Sequence, residues 1–331
     1  MIVIDTLTDW FQLGQQLLFE HAIEPAAWWL GLGSLLEDAF DATGWLLVGL
    51  LQLVVMATLL RALERWRPVE PVTDRHAVRV DMLYTAIHKL GLVQLAMFFA
   101  IEPAWDWLSG QLRLVGVDTF QLDALWPGVT DIPLVSFLLY LVVLDLAGYW
   151  LHRAQHHFEW WWALHSLHHS QRQMTLWSDD RNHLLDDVLL GTALALLARV
   201  IGVAPGQFIS LVALSQLMQS LQHVNAQIWF GAALERVVVS PRFHRLHHAI
   251  GFGHEARGRG TLGGHNFGVL FSFWDLLFGT ACIRAGYEAT GIRDQLAAEG
   301  GRDYGRGFVA QQWLGLKRLG TALRPRRGRA A

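Results

Sequence analysis

The chain of 331 residues has a single cysteine, Cys282, so no internal disulfide can staple it and nothing requires an oxidising compartment. It has no C-x-x-C pair, which removes the usual iron–sulfur and redox-dithiol patterns. Charged residues make up only 17% of the sequence, against about 25% in soluble domains. That deficit points to a membrane as part of the solvent. The formal charge of −3 is too small to argue for a nucleic-acid partner. Residues 1–43 hold no Lys or Arg, so the basic start of a secretory signal is missing.

What is abundant is apolar and aromatic. Hydrophobic residues reach 53%, and sixteen tryptophans suit a protein with two lipid–water interfaces. Trp10, Leu13, Leu17 and Leu18 form one helical stripe, and Trp28, Trp29, Leu32, Leu35 and Leu36 another. We read 1–43 as an N-terminal interfacial segment, with packed soluble helices the plain alternative. Residues 44–131 are expected to hold membrane helices and loops, with spans near 44–60 and 82–101. A third span is expected near 132–151. Residues 184–201 and 206–222 then read as a helical hairpin turned at Gly202-Val203-Ala204-Pro205.

Basic residues mark the sides. The segment 61–81 is basic, 1–43 has no Lys or Arg, 102–131 has one Arg, and Lys317–Arg329 is strongly basic. The expectation is an all-α integral membrane protein of about three spans plus the hairpin, with a histidine-rich cap on the cytoplasmic face. We expect residues 132–282 to form the catalytic region and 283–331 a cytoplasmic tail. An inner, cytoplasmic membrane of a bacterium is the expected location.

Thirteen of the sixteen histidines lie between His152 and His265. Three clusters stand out: His152, His156 and His157; His165, His168 and His169; His244, His247 and His248. Residues three and four apart share a helix face, so the second and third clusters are expected to fan three imidazoles to one point each. In the first, His152 and His156 align while His157 is rotated away. Nine clustered histidines exceed what one ion uses, and a closed structural zinc site needs four ligands and usually includes Cys. Two ions at about four or five imidazoles each fit better, with iron the expected metal for redox work. The hairpin adds His183 and His223 to the same side. His21, His76 and His88 read as ordinary packed or solvated residues. Asp145, seven residues before His152, and Asp186 and Asp187, after His183, are candidate partners of the imidazoles. Helix capping or pairing with Arg153 and Arg181 is the bland alternative for these acids.

These residues resemble the fatty acid hydroxylase superfamily, also called the sterol desaturase family, over Leu144–Thr280. The resemblance rests on Asp145-x-x-x-Tyr149-Trp150-x-His152-Arg153-x-x-His156, Trp162-x-x-His165-x-x-His168-His169-Ser170 and Arg181-x-His183. It continues through His223-Val224-Asn225, Ser240-Pro241-x-x-His244-x-x-His247-His248, Asn266-Phe267-Gly268 and Trp274-Asp275-x-x-Phe278-Gly279-Thr280. It implies a membrane enzyme with two iron ions held by His152, His156, His165, His168, His169, His223, His244, His247 and His248, with His183 a tenth ligand. It also implies site roles for Asp145, Asn225 and Asn266. The implied activity is O2-dependent hydroxylation of a membrane lipid, with electrons from a ferredoxin-, cytochrome- or reductase-type protein. Desaturation by the same centre is the near alternative, and a non-catalytic metal carrier or sensor is the alternative of another class. Gln227 and Leu184 depart from the family pattern, and the glycine-rich stretch 251–264, with His254, reads as a lid.

Overall fold

The computed structural model describes residues 2–116, 120–250 and 264–324, and the regular structure among them is helical, with no strand. Three helices open the chain: α1 (Ile2–Leu18), α2 (Glu24–Trp29) and α3 (Leu36–Val55). A wider π-type turn, Met56–Leu60, carries α3 directly into α4 (Arg61–Trp66). Gly33–Trp66 is thereby one apolar rod of 34 residues, long enough to cross a bilayer. The N-terminal helix lies along it: Gln15 donates to the Phe40 carbonyl at 2.9 Å, and Phe19 meets Phe40 edge-on at 5.2 Å. Trp10, Trp28 and Trp29 stay exposed.

Next come α5 (Arg75–Lys89), capped by Asp74 through the Ala77 amide, and α6 (Leu92–Leu114). The expected single span at 82–101 is therefore corrected to two helices. Gly91 takes φ +75, a left-handed turn that ends α5, and the polar His88 and Lys89 are buried beside it. Lys89 explains a second glycine. Its carbonyl presses on Gly49 of α3, where a Cβ would lie 1.5 Å from that oxygen.

Helix α7 (Pro133–His157) is the second rod apolar and long enough to span a membrane, at 25 residues. Pro133 supplies its first turn, where a missing N–H costs nothing. A near-immediate turn at Phe158 leads into α8 (Glu159–His169). The expected hairpin is present as α9 (Leu184–Val200) and α10 (Pro205–Gln222), with Pro205 opening the return. Short helices α11 (Gly231–Leu234), α12 (Pro241–His247) and α13 (Phe273–Leu277) follow, and α14 (Phe308–Ala322) packs back on α8. The end of α7, the start of α9 and the end of α10 meet at one end of the bundle, and α8 and α12 cover that end.

Candidate metal centre

Nine histidines converge there in two groups. His152, His156, His165, His169 and His247 form one; His168, His223, His244 and His248 form the other, with ligand nitrogens within 4.8 Å of one another in each. Helix α7 supplies the first pair, α8 three members and α12 with its cap three. His223 caps α10. The boxes do not each converge on one point, as the spacing led us to expect. His165 and His169 enter the first group and His168 the second; His244 and His248 enter the second and His247 the first. The reason is angular. At about 100° per residue, positions i and i+4 differ by roughly 40°, whereas i+3 falls roughly 60° to the other side. Each box thus serves both groups, and the His169 and His248 rings stack at 4.2 Å across the boundary.

The tautomers suit a cation. His165 Nδ1 donates to Asp186 at 3.0 Å and His247 Nδ1 to the His265 carbonyl at 2.8 Å. Their Nε2 atoms are buried and have no hydrogen-bond partner among the described residues. An unpaired, inward-facing lone pair is what a metal ligand needs and what an ordinary core histidine avoids. In the second group Nε2 of His244 meets Nε2 of both His223 and His248 at 3.1 Å, and His168 Nε2 lies 3.3 Å from His223. Such a ring cannot be satisfied by neutral imidazoles, because His223 already donates through Nδ1 to the Gln219 carbonyl at 2.8 Å. Nitrogens about 2.0–2.1 Å from a shared ion would adopt similar spacings. Burial, and after it the neighbouring imidazoles, hold His168, His244 and His248 well below the usual imidazole range; burial with His152 and His156 does the same for His247. All four are neutral, the ligating form.

The supporting shell differs in part from expectation. Asp186 is the carboxylate that orients the site, accepting from His165, Gln155 and Trp161. Asp187 instead pairs with His88 at 2.9 Å. Asp179, which no motif singled out, lies 3.4 Å from His223 Nδ1. Asp145 does not touch His152, whose Nδ1 donates to the Phe267 carbonyl at 3.0 Å. It accepts from the Leu270 and Phe271 amides and the Trp274 indole at 2.8–3.1 Å. Asn266, at φ +59, exchanges hydrogen bonds with the backbone of Cys282 and donates to Phe243. The Asn225 side chain bonds the backbone of Glu70. The structure therefore places all three as braces of loops rather than beside the imidazoles. His183 also stands apart: Nε2 donates to Gln312 at 2.9 Å and Nδ1 caps α9. It is not brought together with the nine. His157 is exposed, as its rotation predicts, while His254 and the lid reading of 251–263 lie outside the described residues.

A cavity of about 2380 Å³ reaches this centre. Its lining includes His152, His165, His168, His223 and His244 at one end, and its wall follows α9 from Asp186 to Arg199. That path covers about 20 Å at 1.5 Å per residue. The wall is mostly apolar, with Leu190, Leu194, Ala195, Ala198, Phe208 and Leu211 among its residues and Gln52, Ser210 and Gln216 as polar interruptions.

The chain is 27% identical over 143 residues to an ornithine lipid hydroxylase of Rhizobium tropici, covering 43% of this chain and 40% of that one. It is 30% identical over 114 residues to a delta(7)-sterol 5(6)-desaturase of Gibberella zeae, covering 34% and 35%. A delta(7)-sterol 5(6)-desaturase of Aspergillus fumigatus is 25% identical over 174 residues, covering 47% and 49%. The chain thus spans less than half the length of these relatives. No solved structure matches it. Residues 137–280, which hold all nine converging histidines, match the family model for fatty acid hydroxylase.

Proposed function

We propose that the protein is a membrane-bound non-haem di-iron oxidoreductase that hydroxylates a lipid. The observation that carries this is the pairing of two buried histidine groups with the long apolar cavity that ends on them. Iron ions held there would supply oxygen activation and the oxidation of an unactivated C–H bond. The ligands would be His152, His156, His165, His169 and His247 for one ion, and His168, His223, His244 and His248 for the other.

The chain's own residues do the rest. The cavity wall holds an acyl chain or ring extended and excludes water from the reacting end. Asp186 fixes the tautomer and plane of His165, while Gln219 does the same for His223. Asp145 and Asp275 pin the loop whose Phe267 carbonyl orients His152. In hydroxylation one oxygen atom enters the product and the other leaves as water, so a pair of electrons and a pair of protons must be delivered. A ferredoxin-, cytochrome- or reductase-type protein is the electron source in this reading. The positive-inside pattern supports a cytoplasmic site in a bacterial inner membrane.

Desaturation is the second reading, favoured by the two sterol desaturases among the relatives. Comparative lipidomics of cells with the intact protein, without it and with His168→Ala tests both. One lipid class gaining one oxygen only with the intact protein supports hydroxylation. Loss of two hydrogens supports desaturation. Lipid profiles unchanged across all three would refute both and leave a metal carrier or sensor.

A further inference from the structure

The C-terminal helix α14 has two faces that the catalytic reading does not explain together. One face packs on the centre's supports. Gln311 and Gly315 are buried there, and a Cβ on Gly315 would lie 2.2 Å from the His183 ring. Arg318 donates to the Ala163 carbonyl of α8 at 3.1 Å, and its guanidinium covers the Tyr304 ring at 4.4 Å. Gln312 ties the helix to α5 and to the start of α9. It donates to Tyr84 of α5 at 3.0 Å and accepts from the amide of Leu184, the first residue of α9, at 2.9 Å.

The opposite face is apolar and bare. Val309, Trp313, Leu316 and Leu323 are 77%, 57%, 43% and 63% exposed. At about 100° per residue they fall within roughly 80° of one another, a continuous stripe. Basic residues border it on one side. Lys317 sits over the Trp313 ring at 5.3 Å, and Arg324 follows one turn past Gly320. Arg326, Arg327 and Arg329 come next in the sequence, and the stretch 308–331 holds no Asp or Glu.

We infer that α14 is an interfacial anchor: its stripe inserts into the bilayer surface beside α5 and α9, and its bases bind anionic lipid headgroups. The chemistry favours lipid over a protein partner. The stripe combines an indole with branched aliphatic groups and is edged by cations alone, the composition of helices that lie in the headgroup region. The bilayer is also at hand, since the same chain supplies two helices long and apolar enough to cross it. Through Arg318 and Gln312 the anchor bears on α8 and the start of α9, so it would set the histidine cap's height above the membrane.

Spin-label accessibility on the full chain in nanodiscs tests this. In a Cys282→Ser background, Val309→Cys, Ala310→Cys, Trp313→Cys, Leu316→Cys and Thr321→Cys are labelled one at a time. Each is measured in phosphatidylcholine and in phosphatidylcholine mixed with phosphatidylglycerol. The expected result is oxygen access exceeding nickel-chelate access at 309, 313 and 316, the reverse at 310 and 321, and a deeper reading at the stripe with phosphatidylglycerol. Nickel-chelate access dominating at all five sites would overturn the anchor. Stripe labels reached by neither reagent would overturn it in favour of a protein cover. Equal depth in both lipids would overturn the anionic-lipid half.

Discussion

Asp186 is a carboxylate that holds one of the nine imidazoles directly. Its carboxylate accepts from three side chains on two helices, and one of them is His165. Asp186→Asn keeps the shape but removes the charge that fixes the imidazole proton on Nδ1. Removing the carboxylate that holds a ligating imidazole in place costs about 10–100-fold in metal affinity. We expect that loss in a chelator competition titration, with helix content unchanged. A second residue-scale expectation concerns pH. His168, His244, His247 and His248 are held below their ordinary values by burial in the folded chain. The unfolded chain, with imidazoles near 6.5, therefore binds more protons than the folded one as pH falls. The contribution of these four imidazoles to the stability of the metal-free protein is present above about pH 6.5 and is lost below it. Thermal unfolding of the apo protein at about pH 7.5 and pH 5.5 checks this, and an unchanged or higher Tm at the lower pH would contradict it. At this scale the histidines were legible because their side chains announce their chemistry. Asp179 was not legible, since one acid in Asp179-Asp180-Arg181 gives no spacing signal until α10 returns beside it. His183 shows the reverse failing: a histidine with the family's neighbours that serves as a cap.

Among elements, α7, α9 and α10 could be read from apolar runs opened or broken by proline and glycine. The α5–α6 break is marked only by His88-Lys89 and by Gly91, whose left-handed turn divides two apolar stretches that together have the length of one span. The sharing of each histidine box between two groups was likewise hidden, although the angle between i+3 and i+4 contains it. Two element-scale predictions follow from packing. Gly49→Ala would drive a methyl into the Lys89 carbonyl, which cannot move without shifting α5. Overpacking of this kind costs about 1–3 kcal/mol or more, read as a lower Tm. Asp145→Ala would leave the Leu270 and Phe271 amides and the Trp274 indole without their acceptor. Each buried orphan costs about 1–3 kcal/mol. Faster amide exchange over 268–274 would show the loop released; unchanged exchange there would refute its role as a brace.

At the scale of the whole molecule, members of both histidine groups line one large, mostly apolar cavity, and the proposed lipid oxidation rests on that pairing. Ala195 lines the wall nine residues along α9 from Asp186, about 13 Å by helical rise. Ala195→Trp should block the cavity and lower product yield at least about tenfold while leaving metal content intact, the pattern expected when substrate positioning alone is lost. Low charge and long apolar runs foretold the all-helical class and its helices long and apolar enough to cross a membrane; the cavity itself has no signature in sequence, since its wall reads like any apolar helix. The central claim is that the two groups each hold an iron ion. Metal analysis with Mössbauer spectroscopy of the purified full chain tests it most directly. We expect two irons per chain in coupled sites, falling to one in His244→Ala; a single ion, or a wild-type chain that turns over lipid with zinc alone, would contradict the account.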